Sequence, residues 1–79
     1  MVETRIAPRF RVNRPATIEA ASEKIPCTVY DISLTGAALE VSNLFKIPET
    51  FTLVVPEDRL HLTCRVVWRK QFRIGVRFD

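Results

Sequence analysis

Two arginines near the N-terminus, Arg5 and Arg9, lie four positions apart, so both side chains can reach a single ligand. A guanidinium is a planar fork that pairs bidentately with phosphate or with the O6/N7 edge of guanine, and its face stacks on a base. Arg11 and Arg14 follow, and Glu3 is the one acidic residue among the first fourteen. Such a basic arm attracts phosphate, nucleic acid or an acidic membrane, although a solvated terminus has the same composition. We interpret Arg11 and Arg14 as solvent-facing strand residues.

A second polar cluster, Asp31, Ser33 and Gly36, lies where a predicted strand ends. A carboxylate at position 31 can accept hydrogen bonds from the N1–H and N2–H₂ groups of guanine. The Ser33 hydroxyl can bind a phosphate or a base, and Gly36 permits a positive φ and a close approach of backbone amides to an anion. The alternative is that Asp31 and Ser33 only form a turn.

Other chemistry-bearing residues do not form a site. His61 and Cys64 are spaced like half a metal site, but zinc needs three or four protein ligands, so we expect no metal. His61 has no assignable nucleophile or base beside it, so we expect no enzymatic activity. The N-terminal sequence has no signal-peptide core, and no apolar run approaches the roughly 20 residues of a membrane-spanning helix. We therefore expect a cytoplasmic protein in which Cys27 and Cys64 are free thiols in the core.

Apolar and polar residues alternate along most of the chain, which is typical of half-buried strands. The residues predicted to face the core are Val12, Ala16, Ile18, Ala20, Ile25, Cys27, Val29, Ala37, Leu39, Val41, Phe51, Leu53, Val55, Leu60, Leu62, Cys64, Val66, Trp68, Phe72, Ile74, Val76 and Phe78. Val67 is the exception in its segment, because it is apolar on the polar face.

Turn signals divide these segments into six strands. The predicted connections are Ser22–Lys24, Ser33–Gly36, a stretch from 42 to 49 that could hold a helical turn around Leu44, Phe45 and Ile47, Pro56–Asp58, and Lys70-Gln71. Pro15 predicts an edge or a bulge in the first strand, and Gly75 a bulge or a close backbone approach without a ligand role. The sequence thus predicts an all-β, six-stranded, closed or nearly closed antiparallel barrel over residues 11–79, preceded by a flexible arm over residues 1–10.

Three segments together resemble the PilZ domain family, and the resemblance runs from about Thr4 to Phe78. Arg5-Ile6-Ala7-Pro8-Arg9 is similar to the RxxxR motif of the family, and Asp31-Ile32-Ser33-Leu34-Thr35-Gly36 is similar to its DxSxxG motif. The last two predicted strands, with Val66-Val67-Trp68 and Gly75-Val76-Arg77-Phe78, also look like those of PilZ domains.

The resemblance implies a split β-barrel that is a receptor for the bacterial second messenger cyclic di-GMP, with no cofactor. It implies that Arg5 and Arg9 contact phosphate and guanine, and that Asp31, Ser33 and Gly36 complete the pocket. Many members have a further arginine where this chain has Thr4, so affinity and ligand stoichiometry stay open. We expect the arm to order on binding and to display a new surface to a downstream protein partner.

Two alternatives belong to other classes of protein. The first is a generic small-barrel nucleic-acid-binding protein in which the basic arm follows phosphates. We consider it weaker because Trp68, Phe72 and Phe78 are predicted to face the core, where they cannot stack on bases. The second is a PilZ-fold interaction adaptor without nucleotide binding. We expect a monomer or weak dimer that binds no nucleic acid polymer and does not insert into membranes.

Overall fold

The computed structural model describes residues 10–42 and 47–79, which form a closed antiparallel β-barrel. Arg5 and Arg9, together with Leu44 and Phe45 of the predicted helical turn, lie outside the described residues. The strands are β1 Phe10–Ala20, β2 Glu23–Ile32, β3 Gly36–Glu40, β4 Thr50–Val55, β5 Leu60–Lys70 and β6 Arg73–Phe78, with a 3₁₀ turn at Pro56–Asp58. The order around the barrel is β1-β2-β3-β6-β5-β4, and β1 pairs with β4 to close it. The predicted all-β, six-stranded architecture is confirmed.

The inward-facing residues of the six strands form one hydrophobic core. Most of the predicted positions are buried, and Ile18, Val29, Leu39, Leu53, Cys64 and Ile74 have no exposed surface. Burying a side chain of this size stabilises the fold by about 1.5–3 kcal/mol, so this alternating pattern supplies the main stabilising force in so short a chain. Ile47 is also buried in this core, although it lies in no strand.

Two hairpins have turns one residue away from the predicted positions. The residue pairs Ala20–Glu23 and Lys70–Arg73 close two-residue turns at Ala21-Ser22 and Gln71-Phe72. The first residue of each turn has a positive φ of 53°, a conformation that usually favours glycine or asparagine. The predictions failed because neither turn carries those residues.

Register shifts interrupt three strand pairs and change which way the side chains point. One shift lies in β1 between Arg11 and Arg14, just before Pro15, where a bulge was predicted. Another lies in β5 between Val66 and Trp68, opposite β6. An extra residue reverses the alternation of the strand that carries it. The extra residue between Val66 and Trp68 therefore changes which side chains point outward at the end of β5.

Trp68 and Phe72 were predicted to lie in the core, and both predictions are wrong. Trp68 is 41% exposed and Phe72 is 65% exposed. Trp68 follows the bulge in β5, and all residues from 67 to 73 are exposed because this hairpin extends beyond the core. Phe72 lies in the hairpin turn itself. Phe78 packs against the core, as predicted.

Candidate functional site

A cleft of about 190 Å³ lies between the loop that joins β2 to β3 and the facing part of β5 and β6. It contains all three predicted site residues that the structure describes, which are Asp31, Ser33 and Gly36. The other lining residues are Thr35, Ala37, Ala38, Val67, Trp68, Gly75, Val76 and Arg77. The cleft therefore combines a carboxylate, a loop with backbone amides, an aromatic ring and a guanidinium.

Ser33 organises the loop that forms one wall of the cleft. Its Oγ accepts hydrogen bonds from the backbone amides of Thr35 and Gly36, both at 3.2 Å. The same hydroxyl lies 3.3 Å from the Gly36 carbonyl oxygen, to which it donates. The Ser33 amide donates to that carbonyl as well, at 2.8 Å. These local bonds fix the loop conformation, so Ser33 positions backbone groups around the cleft.

Gly36 is required by close packing and not by its backbone conformation. A β-carbon at this position would lie 2.3 Å from the carbonyl oxygen of Val76 on β6. The expected positive φ is wrong, because neither glycine in the described part of the chain has one. The loop is also tied to β6 by the Phe78 amide, which donates to the Thr35 carbonyl at 2.9 Å.

Asp31 lies near the end of β2, next to a register shift between Val29 and Asp31 in the β2–β3 pair. Bulges re-aim side chains, and here the carboxylate lines the cleft. The residue is half-buried, and its Oδ1 atom is shielded from solvent. Asp31 lies opposite Ala38 on β3 and opposite Arg11 on β1.

Trp68 forms an aromatic wall of the cleft, which the sequence analysis missed. The indole lies against Gly75, since a β-carbon there would be 2.1 Å from Nε1 and 2.3 Å from Cε2. Gly75 is buried and pairs with Trp68 at the β5–β6 bulge, as one of the two predictions for this glycine required. The other, a close approach of backbone, is wrong at this position, because the nearest atoms belong to the indole side chain. The sequence signal for this bulge was Val67, an apolar residue on the predicted polar face of β5. Val67 and Trp68 are both exposed, and two successive exposed residues in a strand indicate a bulge.

Trp68 also lines a second groove, whose volume is about 640 Å³. Its remaining lining residues are Tyr30, Glu40, Lys70, Gln71, Phe72 and Arg73. The guanidinium of Arg73 lies 4.8 Å from the Tyr30 ring centre and pairs with Glu40 at 3.3 Å. This groove has exposed aromatic rings beside basic side chains, contrary to the expectation that these rings are buried.

The two cysteines are buried and free, as predicted. Burial raises the pKa of Cys27 to about 12 and that of Cys64 to about 11. Both thiols therefore stay protonated at neutral pH and act as small apolar side chains.

Residues 10–42 and 47–79 contain no group of three or more histidine, cysteine, aspartate or glutamate side chains that could hold a metal ion. Within the same ranges, no helix is long and apolar enough to cross a membrane. His61 is exposed on β5, and it does not line the cleft.

The fold and cleft define a small closed β-barrel with a cleft beside the loop that joins β2 to β3. The chain belongs to the PilZ domain family, whose model matches residues 3–79. Members of this family typically bind cyclic di-GMP and are generally non-catalytic receptors. Comparison with curated protein sequences gives no match.

Proposed function

We propose that this protein is a cytoplasmic receptor for cyclic di-GMP that binds the nucleotide in the cleft beside Trp68. One observation carries the proposal: in a chain of the PilZ family, Asp31 and the Ser33–Gly36 loop line the same cleft as an exposed indole. Cyclic di-GMP presents two guanine bases and two phosphates, so it needs both an aromatic surface and polar groups. The cleft offers both.

Each residue of the cleft has a role that follows from its chemistry. Asp31 accepts hydrogen bonds from the N1–H and N2–H₂ groups of a guanine, and Trp68 stacks on a base. The loop that Ser33 holds in place shapes the wall of the cleft next to Gly36. Arg5 and Arg9 supply the bidentate contacts to phosphate and to the O6/N7 edge of guanine.

The size of the cleft explains why the arm is needed. Pockets that enclose a small-molecule ligand usually have volumes of about 300–1,000 Å³. The cleft has about 190 Å³, so it holds only part of a cyclic dinucleotide. Phe10, which was predicted to belong to the arm, lies in β1. In this proposal residues 1–9 cover the remainder and order on the ligand, which creates a new surface for a downstream partner.

The contacts of the arm must together contribute more free energy than ordering the arm costs. Fixing the five residues from Arg5 to Arg9 takes on the order of 5–10 kcal/mol, at about 1–2 kcal/mol per residue. Hydrogen bonds to charged groups contribute about 1.5–3 kcal/mol each, so several must form together. Loss of either arginine should therefore weaken binding severely.

Calorimetric titration with cyclic di-GMP tests this proposal, with GTP and linear pGpG as controls. We expect saturable binding in the micromolar range or tighter, selective for the cyclic dinucleotide and lost in Arg9→Ala and Asp31→Asn. Glu57→Gln is the matched control for Asp31→Asn, since Glu57 is exposed and lies outside the cleft. Absence of binding at millimolar ligand would contradict the proposal and favour a PilZ-fold adaptor that does not bind nucleotide.

A second candidate function gains support from the exposed aromatic residues. Trp68 and Phe72 line the second groove together with Lys70 and Arg73, and single-strand nucleic-acid binders combine stacking rings with basic side chains in this way. A fluorescent twelve-nucleotide thymidine oligomer distinguishes the two functions. Affinity that falls steeply with salt, is lost in Phe72→Ser and survives in Asp31→Asn would favour nucleic-acid binding.

A further inference from the structure

Arg77 is an exposed residue of β6 that lines the cleft. In the β3–β6 pair it lies directly opposite Gly36, the last residue of the DxSxxG loop. Its guanidinium is thus carried by a strand of the barrel, on the wall that faces this loop, whereas Arg5 and Arg9 belong to the arm. No role in binding was predicted for Arg77 from the sequence.

Three other arginines on the barrel surface have acidic partners. Arg14 pairs with Asp58 at 3.4 Å, Arg65 with Asp79 at 3.9 Å, and Arg73 with Glu40 at 3.3 Å. Within residues 10–42 and 47–79 no ion pair involves Arg77. Arg77 therefore brings to the cleft a positive charge that takes part in no ion pair within these residues.

The neighbouring strand makes this position unfavourable for an arginine. Arg77 lies directly opposite Arg65 in the β5–β6 pair, and like charges at opposite positions of an antiparallel pair destabilise it. Asp79, which pairs with Arg65 at 3.9 Å, offsets only part of this repulsion. The strand pair itself therefore does not favour a cation at position 77, whereas binding of an anion by Arg77 does.

Asp31 is the other charged residue among those that line the cleft, and cyclic di-GMP brings two phosphates. In a partly enclosed site a negative charge is unfavourable without a cation beside it, so Arg77 is suited to bind one of these phosphates.

We propose that Arg77 binds a phosphate of the ligand from the barrel wall, opposite the Asp31–Gly36 loop. This inference rests on the proposed function, because it needs cyclic di-GMP in the cleft. It assigns part of the phosphate recognition to a strand of the barrel, in addition to Arg5 and Arg9.

Calorimetry of Arg77→Gln, with Arg65→Gln as the matched control, tests the inference. Both variants remove one exposed cation from the same strand pair, but only Arg77 lines the cleft. We expect Arg77→Gln to weaken cyclic di-GMP binding at least tenfold and Arg65→Gln to weaken it less than threefold. The affinity of Arg77→Gln should also depend less steeply on salt than that of wild type, because one screened charge–charge contact is lost. Arg77→Lys, which keeps a point charge, should lie between wild type and Arg77→Gln.

The Tm of the same variants distinguishes a binding role of Arg77 from a purely structural role, because loss of a structural contact would lower the Tm. Because Arg77→Gln relieves repulsion from Arg65, its Tm should equal or exceed that of wild type while its affinity falls. Wild-type binding with an Arg77→Gln affinity within threefold of it would overturn the inference and leave the proposed function intact. No binding by wild type would overturn both, and the wild-type titration identifies that case.

Discussion

The indole ring of Trp68 lies over Gly75, so close that a β-carbon at position 75 would be 2.1 Å from Nε1. This contact places an aromatic ring at the side of the cleft and depends on the absence of a side chain on β6. The bulge between Val66 and Trp68 turns the ring outward, and Gly75 provides the surface against which it packs. The two residues act as one unit in shaping the site.

Gly75→Ala should therefore displace Trp68 and weaken cyclic di-GMP binding. Stacking of a base on an aromatic side chain contributes about 1–3 kcal/mol, which corresponds to roughly a 5- to 150-fold loss of affinity. Calorimetry measures this loss, and the emission of Trp68, the one tryptophan in the chain, reports the displacement of the ring. A double-mutant cycle is the control. If Gly75→Ala weakens binding equally in a Trp68→Ala background, the effect does not act through the indole and the prediction is wrong.

Ser33→Ala should loosen the loop that borders the cleft. The substitution leaves the Thr35 and Gly36 amides without the Oγ acceptor that each contacts at 3.2 Å, and a lost hydrogen bond of this kind lowers stability by about 0.5–1.5 kcal/mol. We expect a lower urea midpoint and weaker nucleotide binding. Ser33→Thr, which keeps the hydroxyl, should restore much of both. Ser42→Ala, at an exposed position, should change neither. Unchanged binding by a folded Ser33→Ala protein would show that the loop bonds are dispensable for the site.

The buried thiols predict a stability that falls at alkaline pH. Burial raises the pKa of Cys27 to about 12 and that of Cys64 to about 11, against an ordinary value of 9.0. Above pH 9 the unfolded chain releases thiol protons that the folded chain retains, so the free energy of unfolding decreases as pH rises. Each thiol contributes at most about 1.4 kcal/mol per pH unit in this range, and its contribution is fully present below pH 9.

Urea unfolding at pH 7, 9 and 10 measures this effect in wild type and in a Cys27→Ala/Cys64→Ala variant. The variant is expected to be less stable at pH 7, because it removes buried sulfur atoms, but its stability should change less between pH 9 and 10. The comparison cancels titration of lysine and tyrosine. Parallel pH profiles for the two proteins would mean that the thiols ionise as readily in the folded state as in the unfolded chain.

The alternating pattern was sufficient to predict the six strands and most of the core, because a barrel strand faces the interior with every second residue. It failed at Trp68, where one extra residue in β5 changes which side chains point inward. Val67 carried the signal for that bulge, but a single apolar exception does not reveal which way the strand resumes. Phe72 was misplaced for a related reason, since its hairpin turn lies one residue beyond the predicted position.

The candidate site was predictable in its loop and not in its opposite wall. The spacing of Asp31, Ser33 and Gly36 identifies a local motif, and the structure places all three in one cleft. Trp68 and Arg77 join them only through the β5–β6 and β3–β6 registers, which bring together residues more than thirty positions apart. Local periodicity contains no information about that pairing.

The most direct test of the account is an NMR titration of the ¹⁵N-labelled protein with cyclic di-GMP. Trp68 supplies the one indole N–H in the chain, so its signal is assigned without ambiguity, and the backbone amides distinguish the cleft from the second groove that the same ring lines. We predict saturable shifts of that indole signal and of the backbone amides of residues 31–37 and 75–77, with little change at Gln71 and Phe72. No saturable shift, or shifts confined to the second groove around Phe72, would contradict the assignment of this cleft as the cyclic di-GMP site.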